Sequence, residues 1–209
     1  MSKSVLHVAL PLLLLLGLQQ LGSGALIHAK AWLAPLLVER AWSQSQAIGG
    51  EPVKPWPWAD TWPVARLRVP SLAVSQLVLA GDTGNALAFG PGYKLASAAP
   101  GAGGSTVIGG HRDTHFRFLR NLRPGQRLVL ELPSQDSRFY KVKEIQIVDT
   151  SEEPSMAIEG DERLILVTCY PFDALTQGGP LRYLVIADPE PVALPVFGAG
   201  VLGSERFSL

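Results

Sequence analysis

The chain carries one cysteine, Cys169, at the end of the apolar run in LILVTCYPF, and four histidines, His7, His28, His111 and His115. A single cysteine cannot close an internal disulfide, so it is either a small buried hydrophobe or a nucleophile that needs an imidazole nearby. His7 lies inside an apolar N-terminal segment and His28 just after it, which leaves His111 and His115 as the histidines able to reach the thiol. Arg182 begins a further apolar stretch, RYLVIA. A thiol, an imidazole and a guanidinium at three strand ends suffice for acyl transfer. The thiolate attacks a carbonyl, and an ordinary thiol with pKa about 8.5 is only a few per cent ionised near neutral pH. The imidazole donates a proton to the leaving amine. The arginine, whose charge does not titrate, holds the carbonyl or the developing oxyanion.

The same stretch supports a second chemistry. His111, Asp113 and His115 alternate in GGHRDTHF, so on a continuing strand all three would face one way and could ligate zinc or iron in a metal-dependent hydrolase. That reading leaves Arg182 without a role, since a cation beside a metal ion is unfavourable. A third reading is a non-catalytic β-module with a buried cysteine. The stretch DTSEEPSMAIEGDE between Val148 and Arg163 has six acidic residues and no basic ones. It reads as a solvated loop, with a substrate wall or a weak calcium site as alternatives. No ordered ligand spacing supports the calcium site.

The elements that must position these groups are mostly strands. ARLRV and AVSQLVL, divided by Pro70 and Ser71, alternate as short strands, and STVIGG runs up to His111. QRLVLEL and RFYKVKEIQIV form a pair about a turn at Pro133–Ser137, while RLILV and RYLVIA are short apolar strands. NALAFGPGY reads as a helical turn ended by glycine and proline, and HFRFLRNL as another. About eight short strands with little helix predict an all-β domain, a closed barrel or a sandwich. With 209 residues and 47% hydrophobic composition, the chain can hold one sizeable core plus appendages. Its 18 basic and 18 acidic residues cancel, so its net charge suggests no nucleic-acid partner.

The N-terminus is of a different kind. Val5–Ile27 is long enough to span a bilayer if Gln19 and Gln20 are tolerated, and Ser23-Gly24-Ala25 alternatively suits signal cleavage. Either way residues 1–28 read as a signal or anchor segment that exports the rest. Residues 29–60 begin with AKAWLAPLLVERAW, where Ala29, Trp32, Leu33, Leu36 and Leu37 recur at helical spacing. Pro35 is expected to kink or break this helix, and Trp32 and Trp42 to suit an interfacial belt. The Ser-, Gly- and Pro-rich linker SQSQAIGGEPVKPWPWADTWP follows, its tryptophans suggesting that part of it docks. Residues 189–209 read as a largely disordered tail, with Val192–Leu202 on the surface.

The combination of GGHRD, Leu166-Val167-Thr168-Cys169 and LRY, in the order His, Cys, Arg from about Thr61 to Asp188, resembles the sortases. AKAWLAPLLVERAW and HRDTHF further resemble the sortase group of Gram-negative bacteria. The resemblance implies an eight-stranded β-barrel over residues 61–188 with short helices, preceded by a membrane-anchor helix. It implies His111 as acid/base, Cys169 as nucleophile and Arg182 as stabiliser. Thr168, Tyr170, Asp113 and His115 are expected at the substrate groove, flanked by the loops Asp149–Glu162 and Tyr170–Pro180. The implied activity is that of a cysteine transpeptidase: cleavage of a C-terminal Leu-Pro-x-Thr-like sorting signal through a thioester, then transfer to an amine acceptor. No cofactor is required. The implied location is the inner membrane, single-pass, with a periplasmic catalytic domain.

Overall fold

The computed structural model describes residues 3–151, 161–174 and 178–191, and at 3–10, 26–30 and 85 the backbone only. Eight strands close into one barrel: β1 (Pro63–Val69), β2 (Val74–Ala80), β3 (Gly92–Tyr93), β4 (Ser105–Gly109), β5 (Arg127–Glu131), β6 (Ser137–Asp149), β7 (Arg163–Cys169) and β8 (Leu181–Pro189). Their order around the barrel is β1-β2-β3-β4-β7-β8-β6-β5, and β5 returns to β1 in antiparallel register. Closure leaves no unpaired sheet edge. The expected helical turns are present as α2 (Gly84–Leu87) and a 3-10 turn at Arg117–Asn121. Only β3 escaped the sequence pattern. Two residues are too short to show alternation, and Gly92 is held by pairing with Leu79 and Gly109.

The interior is filled by side chains from every wall, including Leu67, Ile108, Phe116, Leu128, Leu130, Tyr140, Leu164, Leu166 and Val185. A second buried cluster of Val107, Ile165, Val167, Leu184 and Ile186 belongs to the same strands β4, β7 and β8. Successive residues of a strand point to opposite faces, so Leu164 and Leu166 face the barrel interior while Ile165 and Val167 face outward. Burial on both faces explains why β7 reads as a continuous apolar run rather than an alternating one.

The N-terminal helix departs from expectation. α1 runs unbroken from Lys3 to Ala47 through both Pro11 and Pro35. A proline inside a helix costs on the order of 3 kcal/mol. At Pro35 that cost is offset by packing of the following turns: Ala34, Val38, Ala41, Trp42 and Ser45 are all buried. These positions recur at helical spacing on one face, and Val38 packs with Leu79 and Ala86. The buried stripe is not the one the sequence suggested. Trp32, Leu33 and Leu36 are exposed, whereas Trp42 is only 2% exposed, beneath the Arg66 guanidinium at 5.6 Å. Small residues at 34, 41 and 45 let the helix approach the sheet closely, which the bulky stripe would prevent. Arg66 also pairs with Glu39 of α1 and Glu131 of β5. The linker docks as its tryptophans implied: Trp56 meets Phe89 edge-on at 5.2 Å, and Thr61 Oγ1 donates to the Ala80 carbonyl.

Among the described residues, no helix is long and apolar enough to cross a membrane. The apolar run Val5–Ile27 extends onto side chains that lie outside the description, as do residues 192–209 and most of the acidic loop.

Candidate active site

Cys169 is the last residue of β7 and sits directly opposite Arg182, the second residue of β8. Opposed residues of an antiparallel pair have Cα atoms about 4.5–5.5 Å apart and side chains on one face. The alternation along β7 puts Cys169 on the outward face with Ile165 and Val167, and Arg182 shares that face with Leu184 and Ile186. The half-buried thiol therefore stands at the end of the outer apolar cluster.

His111 arrives from β4. That strand is parallel to β7, with Gly109 level with Val167, and the Gly110 amide donates to the Val167 carbonyl at 3.1 Å. β4 and its ladder with β7 end at Gly109, and His111 follows two residues on as an exposed residue. The chain then turns sharply, the Phe116 amide donating to the His111 carbonyl at 2.9 Å. Gly110 is required here. A Cβ at this position would lie 2.8 Å from the buried Phe116 ring, so any side chain would push the turn and His111 with it.

Arg182 Nη1 donates to the Gly179 and Leu181 carbonyls at 2.6 and 2.9 Å. These bonds hold the guanidinium at the head of β8, and among the described residues Nη2 and Nε have no hydrogen-bond partner. Thr168 is 3% exposed and lies on the inward-facing series of Leu164 and Leu166; its hydroxyl donates to the Gly110 carbonyl at 2.7 Å. It thus ties β7 to the His111 turn from beneath. Tyr170 stacks on Tyr183 at 6.1 Å, and Phe172 meets Tyr183 edge-on at 5.0 Å, with Phe172 and Tyr183 packed against the barrel core.

His115 is half-buried, its ring stacked 6.2 Å from that of His111, and its Nδ1 is buried without a protein partner. Burial, and secondarily the charge of His111, hold its pKa below the ordinary histidine value. It borders a cavity of about 240 Å³ between α1 and β2, lined also by Gln76, Arg66 and Glu39. Asp113 is exposed and turned toward Arg112, with Nε to Oδ1 at 3.4 Å. This geometry does not favour the metal-site reading. β4 ends at Gly109, so the alternation of His111, Asp113 and His115 is not carried by a strand. Among the described residues, no group of three His, Cys, Asp or Glu side chains is arranged to hold a metal ion.

Arg112 is the residue that pattern reading passed over. Its side chain is 7% exposed, and it donates to the Pro171 and Ala174 carbonyls. Adjacency to the histidine in GGHRD was the only signal available in the sequence.

The barrel is closed by eight strands, with Cys169 opposite Arg182 at one end of the β7–β8 pair. The family "Sortase domain" matches residues 67–190, and the chain belongs to the sortase family, whose members are cysteine transpeptidases. It is 32% identical over 120 residues to Sortase D of Bacillus subtilis (strain 168), a match covering 57% of this chain and 60% of that protein. Among solved structures, sortase C-1 of Actinomyces oris is similar with TM-score 0.53 and 26% identity, covering 62% of this chain and 74% of that one. The Clostridium perfringens Sortase D5 transpeptidase matches in fold with TM-score 0.58 and 19% identity, over 78% of this chain and 99% of that one.

Proposed function

We propose that this sortase cleaves a C-terminal Leu-Pro-x-Thr-like sorting signal and transfers the upstream protein to an amine acceptor. The observation that supports the reading is the register: Cys169 opposes Arg182 across β7 and β8, and β4, parallel to β7, ends two residues before His111. The Cys169 thiolate adds to the carbonyl carbon of the threonine, forming the S–C bond and an oxyanion that Arg182 stabilises. Collapse breaks the C–N bond, and His111 gives its proton to the departing amine. The acceptor amine then attacks the thioester and loses a proton to His111, and the thiolate leaves. Water entering in place of the amine gives hydrolysis.

We further propose that Val5–Ile27 anchors the protein in the inner membrane as a single pass, with the barrel on the periplasmic side, as in the group of Gram-negative bacteria that the sequence resembles. Two features support this: Leu12–Leu16 are 49–65% exposed on α1, and Trp32 and Trp58 are exposed where the helix meets the barrel.

The chemistry is tested by incubating the full-length protein with a Leu-Pro-x-Thr-containing peptide and analysing the intact enzyme by mass spectrometry. Wild type is expected to carry the acyl fragment on Cys169, and Cys169→Ala to carry none while keeping its β-type circular dichroism. Turnover above trace in Cys169→Ala defeats the nucleophile assignment.

A further inference from the structure

We propose that Arg112 is a positioning residue that holds the His111 turn and the chain leaving Cys169 in one frame, so that imidazole and thiol meet. The inference rests on the catalytic assignment above. Its basis is where the guanidinium goes. Nη1 donates to the Pro171 carbonyl at 2.9 Å and Nη2 to the Ala174 carbonyl at 2.7 Å, across 59 and 62 residues of sequence. Arg112 immediately follows His111, and Pro171 comes two residues after Cys169. One side chain therefore spans the two catalytic loops.

The sheet alone does not fix their separation. The β4–β7 ladder ends at Gly109 and Val167. The Gly110 amide and the Thr168 hydroxyl extend the tie by one residue on each side. Beyond that point His111 has left its strand and the Cys169 chain turns away through Tyr170 and Pro171. Arg112 bridges this gap. Arginine suits the task because its planar fork offers two donors in fixed geometry, whereas a lysine ammonium is a single flexible point charge. The placement is also a demanding one for a fold-stabilising charge. The guanidinium is buried, the two carbonyls are neutral, and its carboxylate neighbour Asp113 is 58% exposed.

The test is the pH profile of Cys169 alkylation by iodoacetamide, together with peptide turnover, in the full-length protein. The variants are Arg112→Met, Arg112→Lys, His111→Ala and the double variant Arg112→Met/His111→Ala. Other charged or titratable groups around the thiol are Arg182, His115, Asp113 and Tyr170, and these stay constant across the set. Arg112→Met is expected to move the alkylation profile toward that of His111→Ala, and the double variant to coincide with His111→Ala, because residues acting through one another are not additive. Turnover is expected to fall about 10- to 100-fold in kcat with KM nearly unchanged, as for a small misplacement of a catalytic group. Arg112→Lys is expected to show most of that loss. It also carries the test if Arg112→Met does not fold. A wild-type profile and kcat in either folded Arg112 variant overturns the proposal. So does a shift of full size in the His111→Ala background, since Arg112 would then act on the thiol without the histidine. A His111→Ala profile identical to wild type instead defeats the catalytic assignment itself.

Discussion

Replacing Arg182 with lysine separates three roles that the structure allows an arginine beside a thiol. Arg182 is opposite Cys169 on the neighbouring strand, and its Nη1 is already engaged with the Gly179 and Leu181 carbonyls. The arm left over, Nη2 and Nε, is what can meet a substrate oxygen. Lysine keeps the charge but has one ammonium, which the same two carbonyls would draw away from the site. If the guanidinium stabilises the oxyanion, Arg182→Lys loses that donor almost as fully as Arg182→Ala. Loss of one such donor costs about 3–4 kcal/mol, or on the order of 10²–10³ in kcat at roughly 1.4 kcal/mol per tenfold. The assay is initial-rate cleavage of a Leu-Pro-x-Thr peptide, run beside iodoacetamide alkylation of Cys169 across pH for wild type and both variants. We expect both variants to be impaired to a similar degree, with the alkylation profile of Arg182→Lys close to that of wild type. Near-wild-type turnover in Arg182→Lys refutes the oxyanion geometry and leaves a through-space effect of charge. Near-wild-type turnover in both variants removes Arg182 from the site.

Three further outcomes follow from the geometry. His111→Ala should lose far more activity than His115→Ala, because His111 directly follows Gly110, whose amide is bonded to Val167 of β7, whereas His115 is half-buried beyond the turn; the reverse order overturns the assignment. The folded state holds the pKa of His115 below its unfolded value of about 6.5, so the unfolded chain takes up the proton first as pH falls. Stability should therefore drop as pH falls below about 6.5, and His115→Asn should flatten that drop in denaturant titrations. A chain starting at Trp58 should aggregate or melt early, since it loses the buried Val38 and Trp42, together on the order of 3–6 kcal/mol of apolar burial; a chain starting at Ala31 keeps them. Equal melting temperatures for the two truncations would show that α1 is not part of the domain.

The strands themselves were legible because alternation and β-branched runs are local properties. So was the candidacy of Cys169: a lone thiol at the end of an apolar run, with few histidines in the chain, narrows the chemistry before any fold exists. Arg182 and His111 could be named as its candidate partners from residue type and order. What brings them together could not. The pairing of Cys169 with Arg182 is a matter of strand register, and the approach of the turn that carries His111 depends on β4 lying parallel to β7. Such contacts are non-local, and a one-residue slip would send the same side chains to the opposite face. The helix α1 shows the same limit. Periodicity found an apolar stripe on Trp32, Leu33 and Leu36, but the sheet accepted the stripe of small residues that allows close approach, and carried the helix through Pro35. Arg112 is the extreme case. An arginine beside a histidine reads as a surface charge in the sequence. It becomes a buried clamp only because two backbone carbonyls, 59 and 62 residues further on, are held where its fork can reach them.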